Sequence, residues 1–146
     1  MIKGNLRRFD ELTYPEVAAL PRQARLLLPL GKMPTAALAE AAGGEEAWVL
    51  PALPFGWQGS GLAVPRQVLS AVVRALLGNL LEDGFHDLVV CVPAAGLLDE
   101  DLPQKVVSGQ AEEKPLPAEG EQEKVVLIPI GHTEQHGFHA PLCTDT

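Results

Sequence analysis

Most of the residues that could bind a metal or transfer a proton lie close together near residue 140. His132, Glu134, His136, His139 and Asp145 fall within fourteen consecutive residues and include three of the chain's four histidines. Imidazole and carboxylate groups are common protein ligands of Zn²⁺ and Mn²⁺. The segment therefore predicts a divalent-metal site; the alternative is a polar loop that happens to contain three histidines.

The order of these residues allows them to converge on one point. An apolar run, Val125–Gly131, precedes them and is typical of a buried strand. Residues two apart on an extended chain point the same way, so Glu134 and His136 can present a carboxylate and an imidazole side by side. The nine residues that follow can return Asp145 to the same place. An Asp that bridges two metals about 3.5–4 Å apart would suit two-metal hydrolysis of a carbonyl compound.

The segment Gly131-His-Thr-Glu-Gln-His-Gly-Phe-His-Ala-Pro-Leu-Cys-Thr-Asp145 resembles the first metal motif of the creatininase family of metal-dependent amidohydrolases. That motif typically reads Gly-Ser-Thr-Glu-Gln-His-Gly-Pro-His-Leu-Pro-Leu-Gly-Thr-Asp. The resemblance implies that Glu134 binds one metal, His136 binds the other, and Asp145 bridges them, with Zn or Mn as the metal. The departures from the family pattern are His132, Phe138, Ala140 and Cys143. None of them replaces a ligand.

A weaker resemblance to the same family covers residues 6–97. The matching segments are Phe9–Pro21, Pro51–Gly56 and Leu81–Val90. Where the family then has Asn-Gly-His-Gly-Gly-Asn, this chain has Val92-Pro-Ala-Ala-Gly-Leu97, without His or Asn. Residues 1–98 are therefore predicted to be a degenerate creatininase-like region, and 125–146 the strand and metal-motif loop of a second copy.

A short internal repeat agrees with two copies. Leu26–Gly31 and Val126–Gly131 share an apolar-Pro-apolar-Gly pattern at a spacing of 100 residues, and only the second is followed by ligand-type residues. A six-residue apolar match can also arise by chance, so the repeat adds to the motif and does not replace it.

The resemblance implies a creatininase-like amidohydrolase that cleaves an amide C–N bond of a small molecule. Three ligands cannot fill two metal sites, and the family's later ligands have no match here. We expect the missing ligands from residues beyond Thr146 or from another subunit; otherwise the chain is inactive. The alternative is a noncatalytic family-derived subunit or fragment that packs against a catalytic partner. In either case we expect a homo-oligomer or a partner subunit.

The elements that must position the motif follow a strand-helix alternation. Short apolar runs predict strands near 25–30, 47–50, 87–92 and 125–130, and periodic segments predict helices near 14–20, 35–42 and 64–82. This alternation, with its unbroken apolar strands, predicts an α/β fold of the three-layer α/β/α kind with a mainly parallel sheet. The resemblance makes this architecture creatininase-like. Residues 99–124 are acidic, contain prolines and lack aromatics, which predicts a mobile acidic linker.

The composition argues against several classes of function. The formal net charge of −8 argues against nonspecific nucleic-acid binding, which needs clustered Lys and Arg. No run approaches the roughly 18 apolar residues of a membrane helix, and no apolar run follows the basic N-terminal residues as in a secretory signal. Cys91 and Cys143 give no disulfide framework, and Cys91 is predicted to be a small buried hydrophobe. We expect a cytoplasmic protein.

Four isolated features predict no chemistry. Trp48 and Trp57 are predicted to pack in the core and in a loop, and His86 to lie on the surface. The Gly-rich segment 56–61 lacks the Lys-Ser/Thr pair of a phosphate-binding loop. Glu45 and the glutamate after it are predicted to form a solvated turn.

Overall fold

The computed structural model describes residues 5–102, 104–109 and 140–141. The strands there are β1 (Leu6–Arg8), β2 (Arg25–Pro29), β3 (Ala47–Val49), β4 (Leu88–Val92) and β5 (Lys105–Ser108), and the helices are α1 (Tyr14–Ala19), α2 (Thr35–Ala42) and α3 (Arg66–Glu82). The strands form one sheet in the order β1-β3-β2-β4-β5, and all neighbouring strands are parallel. The predicted α/β class and parallel sheet are confirmed.

Strands β2 and β4, in the interior of the sheet, are buried on both faces, as parallel sheets require. Leu26 and Leu28 of β2 join one core cluster, and Leu27 between them joins a second. Because side chains alternate along a strand, the two clusters lie on opposite faces of the sheet. Leu69 of α3 belongs to the first cluster, and Ala41 of α2 belongs to the second. The predicted three-layer arrangement as a whole also involves residues outside the described ranges and stays a prediction.

Three of the four predicted strands are present as β2, β3 and β4. The fourth, 125–130, lies outside the described residues. β1 and β5 were not predicted. β5 falls within the range that the composition assigned to the acidic linker, because two valines in a polar context give little sequence signal. It forms because β4, buried on both faces, offers a free edge with which residues 105–108 pair in register. The predicted domain boundaries and the mobility of the rest of the linker stay predictions.

The helices begin and end where their sequences indicate, except at the start of α3. α2 spans the predicted residues and ends at Gly43, whose φ of 66° is the left-handed conformation that glycine adopts freely. α3 begins at Arg66 and not at Val64, because Pro65 occupies the N-cap in an extended conformation. Within the described part of the chain, none of the helices is long and apolar enough to cross a bilayer.

The predicted apolar stripe of α3 is only half buried. Leu69, Val73 and Leu77 are at most 3% exposed and pack on the sheet. Val68 and Val72, in the second row of the stripe, are more than 40% exposed. Neighbouring positions on a helix differ by about 100°, so two adjacent rows cannot both face the sheet. Each fully buried Val or Leu contributes about 1.5–3 kcal/mol, so the buried row fixes the rotation of the helix.

Arg25 joins three elements on the side of the sheet where β2 begins. Its Nε lies 2.9 Å from Asp87 Oδ2, just before β4, and its Nη1 donates a 2.7 Å hydrogen bond to the Ala42 carbonyl oxygen at the end of α2. A cation at a helix C-terminus satisfies a free carbonyl and complements the helix dipole. Arg25 therefore holds α2 against the sheet.

Candidate functional site

Ligands of parallel α/β proteins bind beyond the carboxyl ends of the strands. We call this side of the sheet the carboxyl edge. In the described part of the chain it is formed by the segments that follow β1, β2, β3 and β4. These segments span residues 9–13, 30–34, 50–65 and 93–102, with residue 104.

The loop after β3 is closed by its own hydrogen bonds. The Gly56 N–H donates to the Leu62 carbonyl oxygen at 2.9 Å and to Ser60 Oγ at 3.1 Å, and Ser60 Oγ lies 2.6 Å from the Trp57 carbonyl oxygen. Trp57 is 3% exposed, so its predicted role in loop packing is confirmed. The Gly56 N–H is used inside the loop and is not presented to a ligand, which agrees with the absence of a phosphate-loop sequence.

Gly56 also allows the loop to approach α3. Its φ is 126°, and a Cβ at this position would lie 2.7 Å from Leu69 Cδ1. A larger residue would therefore strain the backbone and push the loop away from the helix. The resemblance of Pro51–Gly56 to a family loop thus coincides with a position where the fold itself requires glycine.

The loop after β4 is fastened to α3 by three polar contacts. The Asp99 backbone N–H donates to Ser70 Oγ at 2.9 Å, and Ser70 is fully buried. Arg66 Nε lies 3.2 Å from Asp99 Oδ1, and Arg74 Nη2 lies 2.9 Å from Asp101 Oδ1. Ser70 is the signal in the sequence that was missed, because a polar residue on the buried face of an apolar helix indicates a hydrogen bond to another segment.

Two neighbouring cavities lie at the carboxyl edge. The larger, of about 420 Å³, is bounded by the end of β4, the loop after it and β5, and the smaller, of about 210 Å³, lies between the loops after β3 and β4. They share Gly96 and Leu97. Gln104 borders the larger cavity, and its buried Oε1 has no hydrogen-bond partner in the described part of the chain. The sequence did not predict the larger cavity, because residues 99–108, which line one side of it, were assigned to a linker. The smaller cavity depends on the approach of two loops that are distant in sequence.

The carboxyl edge brings no cluster of metal ligands together in the described ranges. There, no three His, Cys, Asp or Glu side chains come close enough together to hold a metal ion. His86 is exposed, as predicted, and lies between α3 and β4 on the opposite side of the sheet. Cys91 is buried in the core, also as predicted, and burial raises the pKa of its thiol to about 11.

The predicted metal ligands Glu134, His136 and Asp145 lie outside the described residues, as do His132, His139 and Cys143. Two residues of the motif are described, Ala140 and Pro141. Pro141 forms an isolated antiparallel bridge with Thr13, five residues beyond the end of β1. Pro141 therefore lies beside the start of α1.

The partner of Pro141 belongs to a well-defined helix start. Thr13 is the N-cap of α1. The backbone N–H and the hydroxyl of Thr13 both donate hydrogen bonds to Glu16 Oε2, each at 2.7 Å. The backbone hydrogen bond, and then the side-chain one, hold the pKa of the Glu16 carboxyl below its usual range. This is the reciprocal cap that Thr-X-X-Glu predicts.

Comparisons of the chain with protein-family models, curated proteins and solved structures found no match. The resemblance to the creatininase family therefore rests on the chain's own residues, above all 131–145.

Proposed function

We propose that this chain is part of a creatininase-like metal-dependent amidohydrolase that acts on an amide C–N bond. The observation that carries the proposal is the match of residues 131–145 to the family's first metal motif at all but four positions, with Glu134, His136 and Asp145 at three ligand positions. Two carboxylates and one imidazole are a donor set that suits Zn²⁺ or Mn²⁺ in kind. In number they are too few for two metals, so the further ligands come from residues outside this chain's described part.

In this proposal residues 5–109 are a noncatalytic α/β unit. The positions after β2 and β4, where the family would supply ligands, carry Lys32-Met33-Pro34 and Pro93-Ala94-Ala95. The described carboxyl edge brings no metal-binding group together. The unit acts through packing: its Thr13 contacts Pro141 inside the motif.

When bound in such a site, a divalent metal polarises the amide carbonyl and makes water nucleophilic near neutral pH. The chain's own part is to hold that metal. Glu134 and Asp145 neutralise its charge, and His136 supplies a nitrogen donor that binds the metal only when the imidazole is neutral. Metal affinity is therefore expected to fall as the pH is lowered and the ligands take up protons.

The experiment is metal analysis of the purified chain combined with isothermal titration of Zn²⁺ and Mn²⁺ and an amide-hydrolysis assay. Glu134→Gln removes one charged donor at nearly constant volume, and we expect at least a tenfold loss of metal affinity. Glu40→Gln is the matched control, because Glu40 is exposed on α2, on the opposite face of the sheet from α1 and α3. Equal affinity of the parent chain and Glu134→Gln would remove Glu134 from the site and refute the assignment.

A further inference from the structure

The most unusual surface in the described part of the chain is a row of apolar side chains on α3. Val68, Val72 and Leu76 succeed one another at intervals of four residues and are 48%, 43% and 40% exposed. Ala71 and Ala75, also exposed, lie beside them on the same side of the helix. We call these five residues the α3 strip. Single exposed hydrophobic residues are ordinary, but a continuous apolar strip on a helix marks an interaction surface.

We propose that the α3 strip is a homodimer interface, in which α3 of one copy packs antiparallel against α3 of a second copy of this chain. The strip carries no charge, and its two alanines allow two helix axes to approach to about 8–10 Å. Valine and leucine side chains of one helix then fit beside the alanines of the other. This inference is independent of the proposed function, because it uses none of the motif residues.

The charges at the ends of α3 select the antiparallel arrangement. The acidic Glu82 and Asp83 lie exposed at the C-terminal end of α3. Acidic groups there face the negative end of their own helix dipole, which is unfavourable. In an antiparallel pair they lie beside the positive N-terminal end of the partner helix. A parallel pair would bring the acidic ends together, so the helix is complementary to an inverted copy of itself.

The geometry gives a specific contact to test. Arg74 is the middle residue of α3, eight positions from each end, so the two-fold axis passes near it. Ala75, on the strip, is one position beyond that middle. The two Ala75 residues of a dimer are then offset by about 3 Å along the helices, within reach of a disulfide between cysteines placed there.

The test uses the full chain in a Cys143→Ser background, where the remaining Cys91 is buried and slow to react. Under mild oxidation, Ala75→Cys is expected to form a covalent dimer at least tenfold faster than Ala36→Cys. Ala36 is an equally exposed alanine on α2, against the other face of the sheet. Equal rates for the two variants would overturn the proposal.

A second measurement tests the dimer without a covalent bond. One helix pair buries less than the roughly 1,200–2,000 Å² of a standard interface, so sedimentation is followed from about 1 µM to about 1 mM. Val72→Glu is expected to weaken dimerisation at least tenfold, whereas Gln23→Glu, which adds the same charge at an exposed position before β2, changes it less than twofold. A chain that stays monomeric throughout this range would refute the dimer.

Discussion

Replacing Ser70 with alanine tests whether one buried hydroxyl holds the loop after β4 on the helix. Ser70 is fully buried and accepts a 2.9 Å hydrogen bond from the Asp99 N–H. Leaving that N–H without its acceptor costs about 1–3 kcal/mol. Alanine is better than serine in a helix by about 0.5 kcal/mol, which offsets part of the loss. We therefore expect Ser70→Ala to lower the free energy of unfolding by about 0.5–2.5 kcal/mol.

The assay is urea unfolding followed by tryptophan fluorescence, since Trp48 and Trp57 are both buried in the first core cluster. Hydrogen exchange at the Asp99 amide, compared with Val90 in β4, separates local loosening from global destabilisation. Asn79→Ala is the control, because Asn79 is exposed on the same helix and reports helix propensity alone. If Ser70→Ala is as stable as the parent chain and exchange at Asp99 is unchanged, the hydroxyl does not hold the loop and the reasoning fails.

Three further predictions follow from single residues. Gly43→Ala should lower the free energy of unfolding in urea by about 1 kcal/mol or more, because φ is 66° there and the new Cβ would lie 3.2 Å from Arg25 Nη1. Gly78→Ala is the matched control within α3. Its new Cβ would enter open space, so it should raise the free energy of unfolding by up to about 1 kcal/mol. The pKa of Glu16 is lowered in the folded state, so its carboxylate should stabilise the fold at pH values above its usual pKa of about 4.5. This contribution should be lost as the pH falls through the folded-state pKa. The difference in urea midpoint between the parent chain and Glu16→Gln should therefore shrink from pH 7 to pH 3. Cys91, with a pKa of about 11, should react with a thiol reagent at pH 8 only after the chain unfolds. Its contribution to stability should be lost as the pH rises above about 9, because the thiol ionises more easily in the unfolded chain. Rapid labelling of the native Cys143→Ser chain would contradict the burial of Cys91.

The centre of the fold could be predicted from the sequence, and its edges could not. β2 and β4 are continuous apolar runs, because a strand buried on both faces needs apolar residues at every position. An edge strand such as β1 or β5 is paired on one side only, and its exposed polar residues resemble a loop. The rotation of α3 was also not predictable, since two adjacent apolar rows are equivalent until the sheet selects one of them.

The candidate site, like the fold, could be predicted only in part from the sequence. The ligand types of the motif are readable from sequence because a metal requires particular side chains at close spacing. A serine among the apolar residues of α3 indicates a hydrogen bond to another segment, but no local pattern identifies its partner, the Asp99 N–H, 29 residues away. In the proposed function, residues 5–109 contribute packing, and the motif at 131–145 contributes the metal ligands. Substitutions in residues 5–109 should therefore change stability or association, and only those near Thr13, which contacts Pro141, should also change metal affinity.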